Sequence, residues 1–211
     1  MIEPEKWWGV LESYNVAIFP IQIVMIALAA IATCLLFAKP GTKTNIVMKA
    51  FLALSFTWIA LVFFLILGKE LPAGYFQTSL FFIIAALFAI DIFRGKMEFR
   101  MPESGWLKYL TILLLIMVFS YPLIGMLFGH HYPRMVILGT FPCPTTAFAL
   151  VLLVCALPRV DKILYVLLLI WAIPFPILIQ IPQFGCYEDT IMLSIGIYGL
   201  IMLIVNMIRK K

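Results

Sequence analysis

His130, His131, Cys143 and Cys186, with Glu188 and Asp189 close behind, are the residues of this chain best equipped for chemistry. Imidazole, thiolate and carboxylate together suit a soft or borderline divalent ion such as zinc or copper. The spacing argues against a tight site, because adjacent histidines rarely ligate one ion together and no Cys-x-x-Cys or His-x3-His pattern is present. Cys143 and Cys186 can instead be read as a disulfide in an oxidising compartment, tying the segment before one apolar stretch to the loop before another. The run from His130 to Arg134 also offers a proton relay or an anion contact, since imidazole titrates near neutral pH. Cys34 and Cys155 lie in apolar surroundings and read as small buried hydrophobes.

A second set consists of polar groups inside apolar stretches, where each is expensive and asks for a reason. Asn15 and Gln22 are seven residues apart, two helical turns on one face, with Pro20 between them. Thr145 and Thr146 follow Pro142 and Pro144, and Gln180 follows Pro174 and Pro176. A hydrogen bond to another helix is the plain structural reading of Gln22, and contact with a transported solute is the sharper one. Asp91 stands three residues before Arg94, which suggests a local ion pair or an interfacial carboxylate; a proton-coupling carboxylate is the alternative. No catalytic residue is assigned, because no His-Glu-x-x-His helix, Gly-x-Ser-x-Gly elbow or glycine-rich phosphate loop occurs. That makes nucleotide-driven chemistry an unsuitable reading.

The elements that must position these residues are hydrophobic helices. The chain of 211 residues is 64% hydrophobic and 12% charged, against roughly 45 to 50% and 25% in soluble domains, and its mean hydropathy is +1.11. A hydrocarbon layer about 30 Å thick takes about 20 residues per helix. The expectation is a single all-α integral membrane domain over 1–211, a bundle of about seven transmembrane helices near 14–37, 46–67, 71–93, 106–128, 135–157, 163–181 and 190–207. Trp7, Trp8 and Tyr14 mark 1–13 as an interfacial segment. The first residues lack the basic, apolar and small-residue regions of a removable signal peptide, so the first span is expected to stay. Proline removes a backbone donor and clashes with the preceding turn. The fifth span is therefore expected to become regular only near Pro144, with 135–141 broken or re-entrant, and the sixth to kink at Pro174 and Pro176. Irregular backbone at membrane depth is tolerated where protein buries it or water reaches it, so these two spans are candidates to line a cavity.

Net charge is +5 and the isoelectric point about 9.1, but the basic residues are dispersed over short loops, which points to topology and not to nucleic acid. Twelve Lys and Arg fall on one side of the predicted bundle and three on the other, placing the N-terminus outside a cell membrane and the C-terminus in the cytoplasm.

Glu12-Ser13-Tyr14-Asn15-Val16-Ala17-Ile18-Phe19-Pro20-Ile21-Gln22 and Phe141-Pro142-Cys143-Pro144-Thr145-Thr146-Ala147-Phe148 together resemble an uncharacterised family of small bacterial and archaeal polytopic membrane proteins. Its marks are a Tyr-Asn...Pro-x-Gln first helix and a Pro-Cys-Pro-Thr-Thr segment. The resemblance implies the polytopic architecture, highlights Asn15, Pro20, Gln22, Cys143, Thr145 and Thr146, and names no substrate. The leading expectation is a small transporter or channel for an ion or polar solute, using Asn15, Gln22, Thr145, Thr146 and Gln180, with the lipid bilayer as partner and no cofactor beyond a conceivable divalent metal. A membrane sensor or assembly partner, and a metal-dependent intramembrane enzyme, are the alternatives.

Overall fold

The computed structural model describes residues 3–69, 71, 74–103 and 105–209, and among these every regular element is helical. The helices are α1 (Pro4–Ala17), α2 (Ile21–Ala38), α3 (Thr42–Leu67), α4 (Gly74–Arg94), α5 (Trp106–Phe119), α6 (Tyr121–Leu127), α7 (Pro142–Cys155), α8 (Lys162–Phe184) and α9 (Tyr187–Ile208). Five of them, α2, α3, α4, α8 and α9, are long and apolar enough to cross a membrane. About seven spans were expected, and the described helices fall short of that number in two places, the second of which was expected to be broken. The fourth span is broken, because α5 and α6 meet at 62° around Ser120, with Pro122 at the start of α6. The fifth is short, because α7 has 14 residues, about 21 Å of helix against a hydrocarbon layer of about 30 Å.

Proline sets most of the boundaries. The first span does not begin at Tyr14: α1 ends at Ala17, residues 18–20 are turn, and α2 begins after Pro20. Pro142 opens α7, where its missing N–H is harmless and its fixed φ suits a first turn, so the helix starts two residues before the expected Pro144. In α8 the ordinary helical turns run to Ala172 and give way to wide, π-type turns over Pro176–Gln180, which is where the sixth span was expected to kink.

The short α7 is the centre of the molecule. Residues 142–153 are all buried, and α3, α5, α8 and α9 pack around them. A helix apolar all round belongs inside a bundle, because no face of it needs a polar solvent. Many apolar residues of α2, α4 and α9 face outward instead, Ile23, Ile31, Phe82, Ile201 and Ile204 among them.

Helices α3 and α4 form an antiparallel pair joined by stacked rings. Phe56 stacks on Phe81 and on Phe88, and Phe64 stacks on Phe81, with centroids 5.6 to 5.9 Å apart. One turn beyond Phe88, Asp91 Oδ2 lies 2.7 Å from Lys49 Nζ, with the two side chains 5% and 3% exposed. The backbone N–H groups of Lys96 and Met97 also donate to the Asp91 carboxylate. Asn45, one turn before Lys49, donates to the Phe99 carbonyl and accepts from its N–H at 2.6 Å. The strand-like stretch after α4 is thus held under α3. Asp91 is therefore not paired with Arg94, which is exposed; the helical spacing of three was outweighed by a partner 42 residues away.

Removing one member of a buried pair leaves the other uncompensated, a loss of about 3 to 5 kcal/mol. Lys49→Met should destabilise the purified protein by about that amount in a denaturant titration. Asp91→Ala should do more, because it also strands two backbone N–H groups. Equal and small effects would show that the pair is solvated.

Candidate functional site

Between α6 and α7, residues 128–141 follow no regular helix, and 136–141 are fully buried. Such a backbone needs partners for its carbonyls and N–H groups, and side chains supply them. Asn15 Nδ2 donates to the carbonyls of Pro133 and Met135, at 2.7 Å each. The Tyr14 hydroxyl donates to the Thr140 carbonyl at 2.6 Å and accepts from Trp58 Nε1 at 2.9 Å. Thr145 Oγ1 accepts from Gly139 N–H and donates to the Phe141 carbonyl. Gln22 Nε2 donates to the Asn15 carbonyl at 2.7 Å across the Pro20 break, fixing α2 to α1. Gly139 has φ +88°, and a methyl group there would stand 2.9 Å from Cβ of Met25.

Asn15, Gln22 and Thr145 thus each hydrogen-bond to backbone, of the irregular segment or across the break before α2. Thr146 is fully buried with an unpartnered hydroxyl, for which the surroundings offer no explanation.

Beside this segment lies a buried acidic cluster. Glu188 and Asp189, at the N-terminal end of α9, are 0% and 1% exposed. Both Glu188 oxygens lie about 3 Å from His130 Nδ1, at 2.9 and 3.0 Å. A carboxylate only accepts, so one proton lies between the two groups. The Tyr121 hydroxyl donates to Asp189, and the thiols of Cys143 and Cys186 interact electrostatically with the same carboxylate. Burial, with Asp189 and Glu188 nearby, pushes the Cys186 thiol well above the ordinary value, which keeps it protonated and inert. Gly125 lies against Glu188: a methyl group there would touch its Oε1 at 3.4 Å, an ordinary contact distance. Trp8 covers His130 with ring centroids 4.2 Å apart and donates from Nε1 to the Phe184 carbonyl. Arg134 binds Glu5 and Glu12 of α1, which hold its guanidinium pKa above the usual value and pin the 128–141 segment to α1.

Two expectations for these residues are corrected. Cys143 and Cys186 are free thiols, not a disulfide. Among the described residues no three His, Cys, Asp or Glu side chains converge as metal ligands. His130 spends its Nδ1 on Glu188, Asp189 faces a phenol, and His131 is exposed outside the cluster. The sequence did indicate Glu188 and Asp189, but only as neighbours of the metal candidates. Tyr121 and Gly125 had no distinguishing signal.

Gln180 belongs to a third feature, a cavity of about 380 Å³ between α1, α3, α4, the start of α7 and the half of α8 that carries the π-type turns. Trp7 and Phe184, stacked at 4.7 Å, form one wall, and Trp171 and Phe175, stacked at 3.8 Å, form another. Phe63, Phe64 and Phe141 also line it, and Gln77 and Gln183 add amides. Trp171 connects the cavity to the acidic cluster, because its indole lies beside the Cys143 thiol.

A family model described as a family of unknown function, DUF6064, matches residues 4–211. No curated protein and no solved structure matches the chain.

Asn15→Ala strands two partly buried carbonyls, so a loss of about 1 to 3 kcal/mol is expected in a denaturant titration. Gly139→Ala should be at least as damaging, since it meets both a left-handed φ and the Met25 side chain. If both variants match the parent in melting temperature, the 128–141 segment does not depend on these contacts.

Proposed function

We propose that this chain, which belongs to the DUF6064 family of unknown function, is a proton-linked membrane transporter for a small solute. In this reading α2, α3, α4, α8 and α9 cross the bilayer, α5 with α6 forms one bent crossing, and 128–141 with α7 forms a seventh. The distribution of Lys and Arg supports an outside N-terminus and a cytoplasmic C-terminus.

The observation that carries the reading is the fully buried Glu188–Asp189 pair. Two adjacent carboxyl groups removed from water need compensating charge, and their ion-pair partner is one imidazole. The Lys49–Asp91 pair, by contrast, is balanced one to one and secured by backbone N–H groups, as a structural pair would be. A group that must gain or lose a proton as its surroundings change is a means of coupling, and intramembrane carboxylates and histidines serve as proton relays in pumps and transporters. In this reading the acidic cluster takes the coupling role for which Asp91 was the alternative candidate. Its position beside the irregular 128–141 backbone and the π-type turns of α8 supports movement there, since π-type and broken turns often mark functional sites in helices. No convergent ligand set supports the metal-dependent enzyme, and no surface feature favours the sensor reading.

In proteoliposomes, an inward proton gradient should drive uptake of at least one member of a small-solute library. Glu188→Gln and Asp189→Asn should each reduce gradient-driven uptake at least tenfold while leaving the melting temperature near that of the parent. No uptake of any solute would refute transport, and uptake indifferent to the gradient would refute proton linkage.

The orientation has its own test in intact cells. A membrane-impermeant maleimide should label His131→Cys without permeabilisation and Arg159→Cys only after it. The opposite pattern would invert the topology.

A further inference from the structure

We infer that the groove between the end of α4 and the start of α8 seats one phospholipid of net negative charge, with its phosphodiester among Lys96, Arg159 and Lys162. Such a seat depends on α4 and α8 crossing the bilayer, and not on transport or on the acidic cluster.

The groove forms where two loops meet. Lys96, just past α4, reaches Asp161 Oδ2 at 3.4 Å and so ties the end of α4 to the start of α8. Beside this pair lies a space of about 460 Å³, lined by Lys96 and by residues 158–163. Its charge is unbalanced. Three cations line it against one acid, and that acid is already engaged: Asp161 Oδ1 accepts from the N–H groups of Ile163 and Leu164, and Oδ2 meets Lys96. Glu98, which lines the adjoining depression together with Arg159, is paired with Arg100 at 2.6 Å. The exposed side chains of Arg159 and Lys162 have neither hydrogen bond nor ion pair among the described residues, and Lys96 is itself half-exposed. Two uncompensated cations in one groove favour an anion, and the planar fork of Arg beside the point charge of Lys suits phosphate oxygens.

The surroundings decide which phosphate. Trp106 and Tyr109 are exposed on either side of Lys108 at the same end of the bundle, the pattern of residues at the level of lipid headgroups. From Ile163, which lines the groove, exposed apolar residues continue through Val166 and Ile170, at the i, i+3, i+7 spacing of one helix face. A phospholipid matches both parts, because its phosphodiester lies at headgroup level while an acyl chain extends along such a stripe. Inorganic phosphate would use only the first part. A zwitterionic headgroup would bring its own ammonium into a groove with surplus positive charge, so the fitting lipid is one without it. Basic pockets between spanning helices hold anionic headgroups by the same attraction.

The test titrates the full chain, purified in detergent, with phosphatidylglycerol and phosphatidylcholine of identical acyl chains, read by native mass spectrometry. One phosphatidylglycerol per chain is expected at concentrations at least tenfold below those that retain phosphatidylcholine. Arg159→Gln and Lys162→Gln should each weaken phosphatidylglycerol retention about fivefold, the equivalent of about 1 kcal/mol for one basic side chain at an anionic surface. Lys43→Gln, which removes an exposed cation at the same end but outside the groove, should leave retention within twofold. Lys96 stays unsubstituted because its loss would free Asp161. Melting temperatures establish that each variant is folded; if one is not, the preference of the parent between the two lipids decides. Equal retention of the two lipids would overturn the assignment. So would a loss in Lys43→Gln equal to that in Arg159→Gln, because the attraction would then belong to the whole face. Displacement of phosphatidylglycerol by inorganic phosphate alone would also overturn it, because the site would then be one for free phosphate.

Discussion

A peptide group buried in an apolar bundle has to be hydrogen-bonded, and the stretch 128–141 cannot do this for itself because it is not a helix. The architecture depends on how that demand is met. Tyr14 and Asn15 at the end of α1 reach the carbonyls of Pro133, Met135 and Thr140, and Thr145 at the start of α7 reaches back to Gly139 and Phe141. This fixes where α7 starts, and α7 is the helix around which the others pack. It also fixes α1 against the bundle, which places Trp7 in the wall of the cavity and Trp8 over His130. Asn15 uses both of its N–H donors in this way, so no other residue type of its size could replace it fully.

The two ends of the bundle handle buried charge differently. At one end Lys49 and Asp91 neutralise each other within a ring ladder, and spare lone pairs on the carboxylate are taken up by the turn after α4. At the other, Glu188 and Asp189 share one imidazole, one phenol and two protonatable thiols. A bundle of this size could have closed that end with apolar residues at no loss of stability, since buried charge is weak evidence for stability. Keeping two acids there is intelligible if their protons move.

Aromatic rings close most of the walls of the cavity, and Gln77, Gln180 and Gln183 are the polar residues among them. The cavity lies between the irregular end of α8 and the start of α7, and α7 also carries Cys143 of the acidic cluster.

Composition alone determined that the chain is a set of apolar helices, because a sequence so poor in charge has no polar face to give to water. Proline determined several breaks, at Pro20, at Pro142 and along Pro174 to Pro176, because a missing N–H acts locally wherever it occurs. Pro122 was equally visible and its 62° bend was not anticipated, since apolar content on both sides made one continuous helix the simpler reading. The spacing of Asn15 and Gln22 put them on one face, but their role came from carbonyls more than a hundred residues away in the case of Asn15. Asp91 took Lys49 in place of Arg94, and Cys143 and Cys186 stayed reduced around Asp189, for the same reason. Local preference acts along the chain over a few residues. Only packing decides which distant groups share a dry environment, and in a dry environment a good partner outweighs a near one.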